Sequence, residues 1–179
     1  MIYFFLADGF EEIEALCPVD LCRRAGLAVQ TVSITDSRTV TGSHGISVLA
    51  DLTAADTLGD FDMLVLPGGM PGTTNLEASP LVQSAIDRAL AEDKYIAAIC
   101  AAPMVLGKRG ILQGKNAICF PGFEQYLAGA TVSDKKVVRD GKVLTAAGMG
   151  VSHDFGLAIV EIFKGKEAAD ALCGAVLYR

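Results

Sequence analysis

The chain has no tryptophan and only two histidines, His44 and His153, among its 179 residues. Neither histidine stands in an H-x-x-x-H or C-x-x-C setting, so no zinc ligand set exists and no metal is expected. The five cysteines (Cys17, Cys22, Cys100, Cys119, Cys173) are odd in number and contain no C-x-x-C pair. That usage predicts free thiols in a reducing compartment rather than a disulfide framework. Neither G-x-G-x-x-G nor G-K-[ST] occurs, which removes the phosphate cradles of nucleotide cofactors, and no cofactor is expected. Basic runs are missing as well. With 15 Lys and Arg against 21 Asp and Glu, the net charge of -6 repels nucleic-acid backbones. Apolar stretches such as Ile96–Ala102 and Phe61–Leu66 fall far short of the ~18–20 residues a membrane helix needs. The apolar start, Met1–Ala7, lacks a basic segment and runs into Asp8, Glu11, Glu12 and Glu14, unlike a signal peptide. A cytoplasmic location is expected, with no membrane or nucleic-acid partner.

What is present is apolar residue in quantity. At 51% apolar and 20% charged, with a mean hydropathy of +0.42, the chain can fill a core as one domain over residues 1–179. Ile2–Ala7 reads as a buried strand, and Glu11–Ala25 as a helix stopped at Gly26. Leu27–Ile34 and Phe61–Leu66 follow as strands, with Thr39–Leu49 between them as a hairpin excursion. Ser79-Pro80 opens a helix to about Asp93, as N-cap and first residue. Tyr95–Ile99 is a strand, Ala101–Lys108 a helix and Asn116–Phe120 a short strand. Val137–Thr145 carries the Asp140-Gly141 hairpin signal, and Ser152–Lys164 and Lys166–Leu177 close the chain as helices. The alternation predicts an α/β fold with a mostly parallel sheet between helical layers.

Sites in such sheets lie beyond the carboxyl ends of strands, which selects the loops 8–14, 67–74, 100–103 and 120–123. Cys100 sits between the Tyr95–Ile99 strand and Ala101-Ala102-Pro103, the setting of a nucleophile elbow. Helix N–H groups aimed at its sulfur favour thiolate and predict a depressed pKa. The other four cysteines lie in apolar patterns and read as packing residues. Pro67-Gly68-Gly69 ends the neighbouring strand, where glycines let backbone N–H groups approach a ligand oxygen. Acids in a first helical turn are ordinarily dipole partners on a solvated face, which is the reading for Glu11 and Glu12. Glu14, flanked by Ile13, Ala15 and Leu16, is a candidate for a buried, protonated carboxyl that donates to the thiolate. His153 reads as a surface residue near a helix start.

These segments together resemble the DJ/ThiJ/PfpI superfamily, nearest the branch of the parkinsonism-associated deglycase and its bacterial YajL-type relatives. The residues that carry it are Ala7–Glu14, Val19–Gly26, Leu64–Gly69 and Ile96–Pro103, continued by Gly148–Gly150 and Phe155–Glu161. The resemblance implies a flavodoxin-like α/β/α sandwich with a nucleophile elbow. It implies a reactive Cys100 partnered by Glu14, with backbone donors at Gly69 and Ala101; Gly68, in the same turn, is a further oxyanion or substrate-binding candidate. A homodimer is also implied, formed partly by the first helix and the Thr39–Leu49 excursion, with Arg24 and His44 near the shared edge. Two positions depart from the deglycase branch: Phe120 stands where that protein has a histidine, and His44 replaces an interface arginine. His44, Arg24 and Phe120 are therefore candidate pocket residues. The protease-like branch has histidine directly after the cysteine, where this chain has Ala101, so peptidase activity is not implied.

The expected function is a cysteine-dependent carbonyl-stress enzyme. It is a glyoxalase converting methylglyoxal to lactate, a deglycase repairing early glycation adducts, or both. The alternative is a redox sensor or chaperone-like protein acting through oxidation of Cys100.

Overall fold

The computed structural model describes residues 1–178. Its centre is a six-stranded sheet in the order β2-β1-β5-β6-β10-β9, made of β1 (Ile2–Leu6), β2 (Val29–Ser33), β5 (Met63–Leu66), β6 (Tyr95–Ile99), β9 (Val137–Asp140) and β10 (Val143–Ala146). All neighbours are parallel except β9, which runs antiparallel to β10 at the edge. The five parallel strands follow the flavodoxin-like order, in which the chain reverses its direction of winding between the first strand and the third.

Both faces of the sheet are covered, so its strands are apolar throughout rather than alternating. In β1, Ile2 and Phe4 pack with Val19 and Cys22 of α1 (Glu12–Arg24) and Phe155 and Ile159 of α5 (Ser152–Lys164). Tyr3 and Phe5 point the other way, toward Leu76 of α2 (Gly72–Ala78), Ile86 of α3 (Pro80–Ala91) and Val105 of α4 (Pro103–Lys108). The period of two along one strand thus assigns alternate residues to two cores. Helix α6 (Lys166–Ala175) completes the α1–α5 layer through Ala169.

Two small ladders lie outside this sheet. The antiparallel hairpin β3 (Thr39–Thr41)–β4 (Ser47–Leu49) matches the expected excursion. The short strand expected over 116–120 is limited to β7 (Asn116–Ala117), which pairs with β8 (Thr131–Val132) instead of joining the main sheet. The chain leaves the ladder because Ile118 N–H turns to the Thr145 hydroxyl at 3.0 Å and Phe120 N–H to the Cys100 carbonyl at 2.8 Å. Helix α2 is not expected from sequence; its seven residues are too short to show a helical period. Among the described residues no helix is long and apolar enough to cross a membrane.

Candidate active site

Three strand ends converge beside the reversal point: β1 leads to Glu14 in the first turn of α1, β5 to Gly68-Gly69, and β6 to Cys100. Cys100 has φ of +65°, a left-handed conformation rare for a residue with a side chain. It is held there from both sides. Its N–H donates to the Ala146 carbonyl at 2.9 Å, and its carbonyl accepts from Phe120 N–H at 2.8 Å. The small residues Ala101 and Ala102 are fully packed beneath it, which lets α4 begin at Pro103 immediately after the turn. This is the strained strand-to-helix elbow that thrusts a side chain outward.

Glu14 is buried and hydrogen-bonds to Cys100. Its Oε2 also accepts from Gly68 N–H at 3.0 Å. Gly68 therefore positions the acid, and its N–H is engaged there rather than free for an oxyanion, in contrast to the role expected for it from the Pro67-Gly68-Gly69 turn. It must be glycine for a steric reason. A Cβ there would lie 2.5 Å from Glu14 Oε2 and 2.6 Å from Cys100 Cβ. The N–H groups of Gly69 and Ala101 act on the Cys100 sulfur in the direction that favours thiolate.

Burial pushes the Glu14 carboxyl up to about 7, with the nearby Glu11 charge adding to the rise against the hydrogen bonds from Cys100 and Gly68. Burial likewise pushes the Cys100 thiol up to about 12, reinforced by the Glu14 carboxylate and opposed by the Ala101 and Gly69 N–H groups. The depressed thiol pKa expected from sequence supposes a proton on Glu14; with Glu14 ionised the thiol is pushed up instead. Glu14 as a carboxylic acid changes the balance: charge repulsion disappears and a third donor faces the sulfur. The two groups share one proton economy, and the thiolate belongs to the state in which Glu14 holds the proton.

The remaining candidates separate by position. Phe120 lies at the mouth, its ring against Gly148, whose hypothetical Cβ would sit 3.1 Å from Phe120 Cδ2 and 3.9 Å from Glu14 Oε1. Arg24 is corrected: it stands ten residues along α1 from Glu14, ~15 Å away by helical rise, and pairs with Asp20 at 2.6 Å. It lines a separate groove with Cys17 and His153. His153 is exposed and stacks on the Tyr178 ring at 4.6 Å. His44 is on the β3–β4 turn, where Nδ1 meets Glu12 Oε2 at 2.9 Å and Glu11 Oε2 at 3.4 Å.

Glu12 was expected on a solvated face and is buried instead. Burial alone raises its carboxyl, but hydrogen bonds from the His44 ring and from the N–H groups of Glu12, His44 and Ile46 outweigh that and hold it at about 2. The signal in sequence was Ser43-His44-Gly45, which can fold back over α1; sequence spacing does not pair it with Glu12. The donor atoms of Glu11, Glu12 and His44 lie within 4.8 Å of one another, a composition that metals use. Here the His44 ring pairs with both carboxylates in a clasp that ties the hairpin to the start of α1.

A model of the DJ-1/PfpI family matches residues 1–162. Protein dj-1beta of Drosophila melanogaster is 36% identical over 175 residues, spanning 96% of this chain and 94% of that protein. The protein named Deglycase PH1704 from Pyrococcus horikoshii is 34% identical over 145 residues, spanning 78% of this chain and 85% of its own length. A solved structure of Toxoplasma gondii DJ-1, oxidized, has a TM-score of 0.94 at 32% identity and covers 98% of this chain and 97% of that one.

Proposed function

Because the chain belongs to the DJ-1/PfpI family, we propose that it is a cysteine-dependent enzyme of carbonyl stress, a glyoxalase or deglycase working through Cys100 and Glu14. The observation that carries this reading is the elbow itself, where Cys100 is held at φ of +65° beside the buried Glu14 carboxyl, with Gly68 alone fitting between them. Glu14 takes the thiol proton and Cys100 sulfur adds to the aldehyde carbon of a 2-oxoaldehyde, forming a C–S bond. Gly69 and Ala101 N–H groups hold the developing oxyanion until Glu14 returns the proton. The adduct carbon then loses its proton, which is delivered to the adjacent carbonyl carbon, leaving a 2-hydroxy thioester. Water cleaves the thioester, releasing the hydroxy acid and restoring the thiol. The sum is methylglyoxal plus water to lactate, with no external oxidant. On a glycated amine or thiol, the Cys100 sulfur displaces that group from the adduct carbon, the new C–S bond forming as the old C–N or C–S bond breaks. Glu14 protonates the released amine or thiol, after which the same hemithioacetal proceeds to the hydroxy acid. The similarity to a protein named as a deglycase supports this class. The active unit in this proposal is a cytoplasmic homodimer.

Purified protein is expected to convert methylglyoxal to lactate, and Cys100→Ser to lose at least a hundredfold in kcat/KM. Chromatographic separation of lactate from thiol adducts decides the matter. Substrate loss without lactate rejects the glyoxalase reading.

A second reading is redox sensing, favoured by the similarity to a relative solved in an oxidized form. Peroxide would convert the Cys100 thiolate to sulfenate and water, and a second peroxide would give sulfinate. The Gly69 and Ala101 donors suit either oxyanion.

A further inference from the structure

Phe120 and Met149 are large apolar side chains left 47% and 52% exposed, and both line one cavity of about 450 Å³. Cys100 and Glu14 do not line it, but two contacts tie its wall to them. Phe120 is tied to the elbow by its N–H to the Cys100 carbonyl at 2.8 Å. Gly148, also in the wall, puts no side chain between the Phe120 ring and Glu14, since a Cβ there would lie 3.1 Å from Phe120 Cδ2 and 3.9 Å from Glu14 Oε1. From there the trough continues past Met149 and Val151, and its one ionisable lining residue is Lys136. Lysine at such a rim can lay its methylenes along apolar surface and keep its ammonium in water. Methylglyoxal has a single methyl group beyond its two carbonyls and leaves this surface wet.

We propose that the Phe120–Met149 trough is a substituent subsite that makes the enzyme selective for 2-oxoaldehydes bearing an aromatic or bulky aliphatic group. The inference rests on the carbonyl chemistry proposed above and names its substrate class. An aromatic substituent covers the exposed faces of Phe120 and Met149 while its aldehyde carbon reaches Cys100. Ring contacts with Phe120 add edge-to-face attraction, and the Met149 thioether adds a sulfur–aromatic contact. Removing one buried hydrocarbon group from such a contact costs roughly tenfold or more in kcat/KM. The reaction is unchanged in balance: phenylglyoxal plus water gives the corresponding 2-hydroxy-2-phenyl acid.

The test compares kcat/KM for phenylglyoxal and methylglyoxal in the wild type, Met149→Ala and Phe120→Ala, with hydroxy-acid products quantified by chromatography. Met149 is exposed and outside the reacting groups, so Met149→Ala is expected to fold and to retain methylglyoxal turnover. The phenylglyoxal-to-methylglyoxal ratio is expected to drop about tenfold in Phe120→Ala and severalfold in Met149→Ala. An unchanged ratio in both variants, with methylglyoxal still turned over, overturns the subsite and leaves the carbonyl reading standing. Loss of turnover on both substrates in the wild type rejects the carbonyl reading. Protection of Cys100 from alkylation then decides the subsite independently, with acetophenone expected to protect at far lower concentration than acetone. Equal protection by the two ketones overturns the proposal.

Discussion

Glu14 and Cys100 act as one titrating unit, because each sets the charge the other can bear. The Glu14 carboxyl at about 7 is poised to hold a proton near neutrality, whereas an ionised Glu14 helps drive the thiol to about 12. Two substitutions separate these effects. Glu14→Gln removes the charge and keeps an N–H donor, while Glu14→Leu removes both and leaves the sulfur in a drier setting. The Cys100 thiol of Glu14→Gln should therefore titrate below that of Glu14→Leu, by roughly one pH unit. Alkylation rate against pH, followed at Cys100 by mass spectrometry, measures the difference. Turnover should fall about a hundredfold or more in both, since neither side chain shuttles a proton. Identical alkylation profiles with wild-type turnover would reduce Glu14 to a helix-start acid.

At the level of elements, the active-site acid depends on how α1 is anchored. Its first turn is gripped by the β3–β4 hairpin through Glu12, whose carboxylate accepts from His44 N–H at 2.8 Å and faces His44 Nδ1 at 2.9 Å. Glu12 is held low, so its stabilising contribution is complete above the unfolded value of 4.5 and is lost as pH falls toward 2. His44 is raised, first by its hydrogen bond to Glu12, so its contribution is complete below 6.5 and is lost as pH rises through the raised folded value. The clasp is thus strongest between about pH 4.5 and 6.5. Melting curves of His44→Ala should show the largest deficit in Tm in that window and converge on the wild type at alkaline pH. Glu12→Ala, which strips several charge-assisted hydrogen bonds from a buried position, should cost on the order of 2–3 kcal/mol at pH 7. A His44→Ala deficit that does not vary with pH would mean that the turn is held by its backbone bonds alone.

On the scale of the whole molecule, the outward faces of α1 and the hairpin expose Ile13, Ile46 and Leu49 on adjoining elements. Apolar side chains left wet on adjoining elements fit an interface covered by a second copy. Sedimentation at micromolar concentration should give a dimer, and Ile46→Glu should shift it toward monomer by placing a charge in the contact. A wild-type monomer under those conditions removes the dimer from the proposed function. The same two-fold contact would place His44 close to the partner's site, so His44→Ala should lose one limb of the pH–rate curve in the dimer.

Strand identity and the elbow were legible from residues alone, because both rest on local rules. IYFFL over Ile2–Leu6 has no polar face and must be covered on both sides. Ile99-Cys100-Ala101-Ala102-Pro103 joins an apolar strand to small residues and a helix-starting proline, which leaves the cysteine at the turn. Ser79-Pro80 marked the start of α3 for the same local reason, and Ser79 does accept from Val82 N–H. Burial and hydrogen-bond partners across long separations were decided by tertiary structure. Glu12 and Glu14 are two residues apart in one helical turn, and sequence alone assigns opposite fates to them. Both are buried, since the hairpin closes over Glu12 and Gly68 meets Glu14. Arg24 shares α1 with Glu14, but the helix carries it to the far end of the layer. Helix N–H groups at the thiol are a local feature legible in sequence, whereas desolvation and a facing carboxylate come from three strands brought to one end of the sheet. A carboxylate's protonation state is set by what surrounds it in space, and only the packed fold supplies those surroundings.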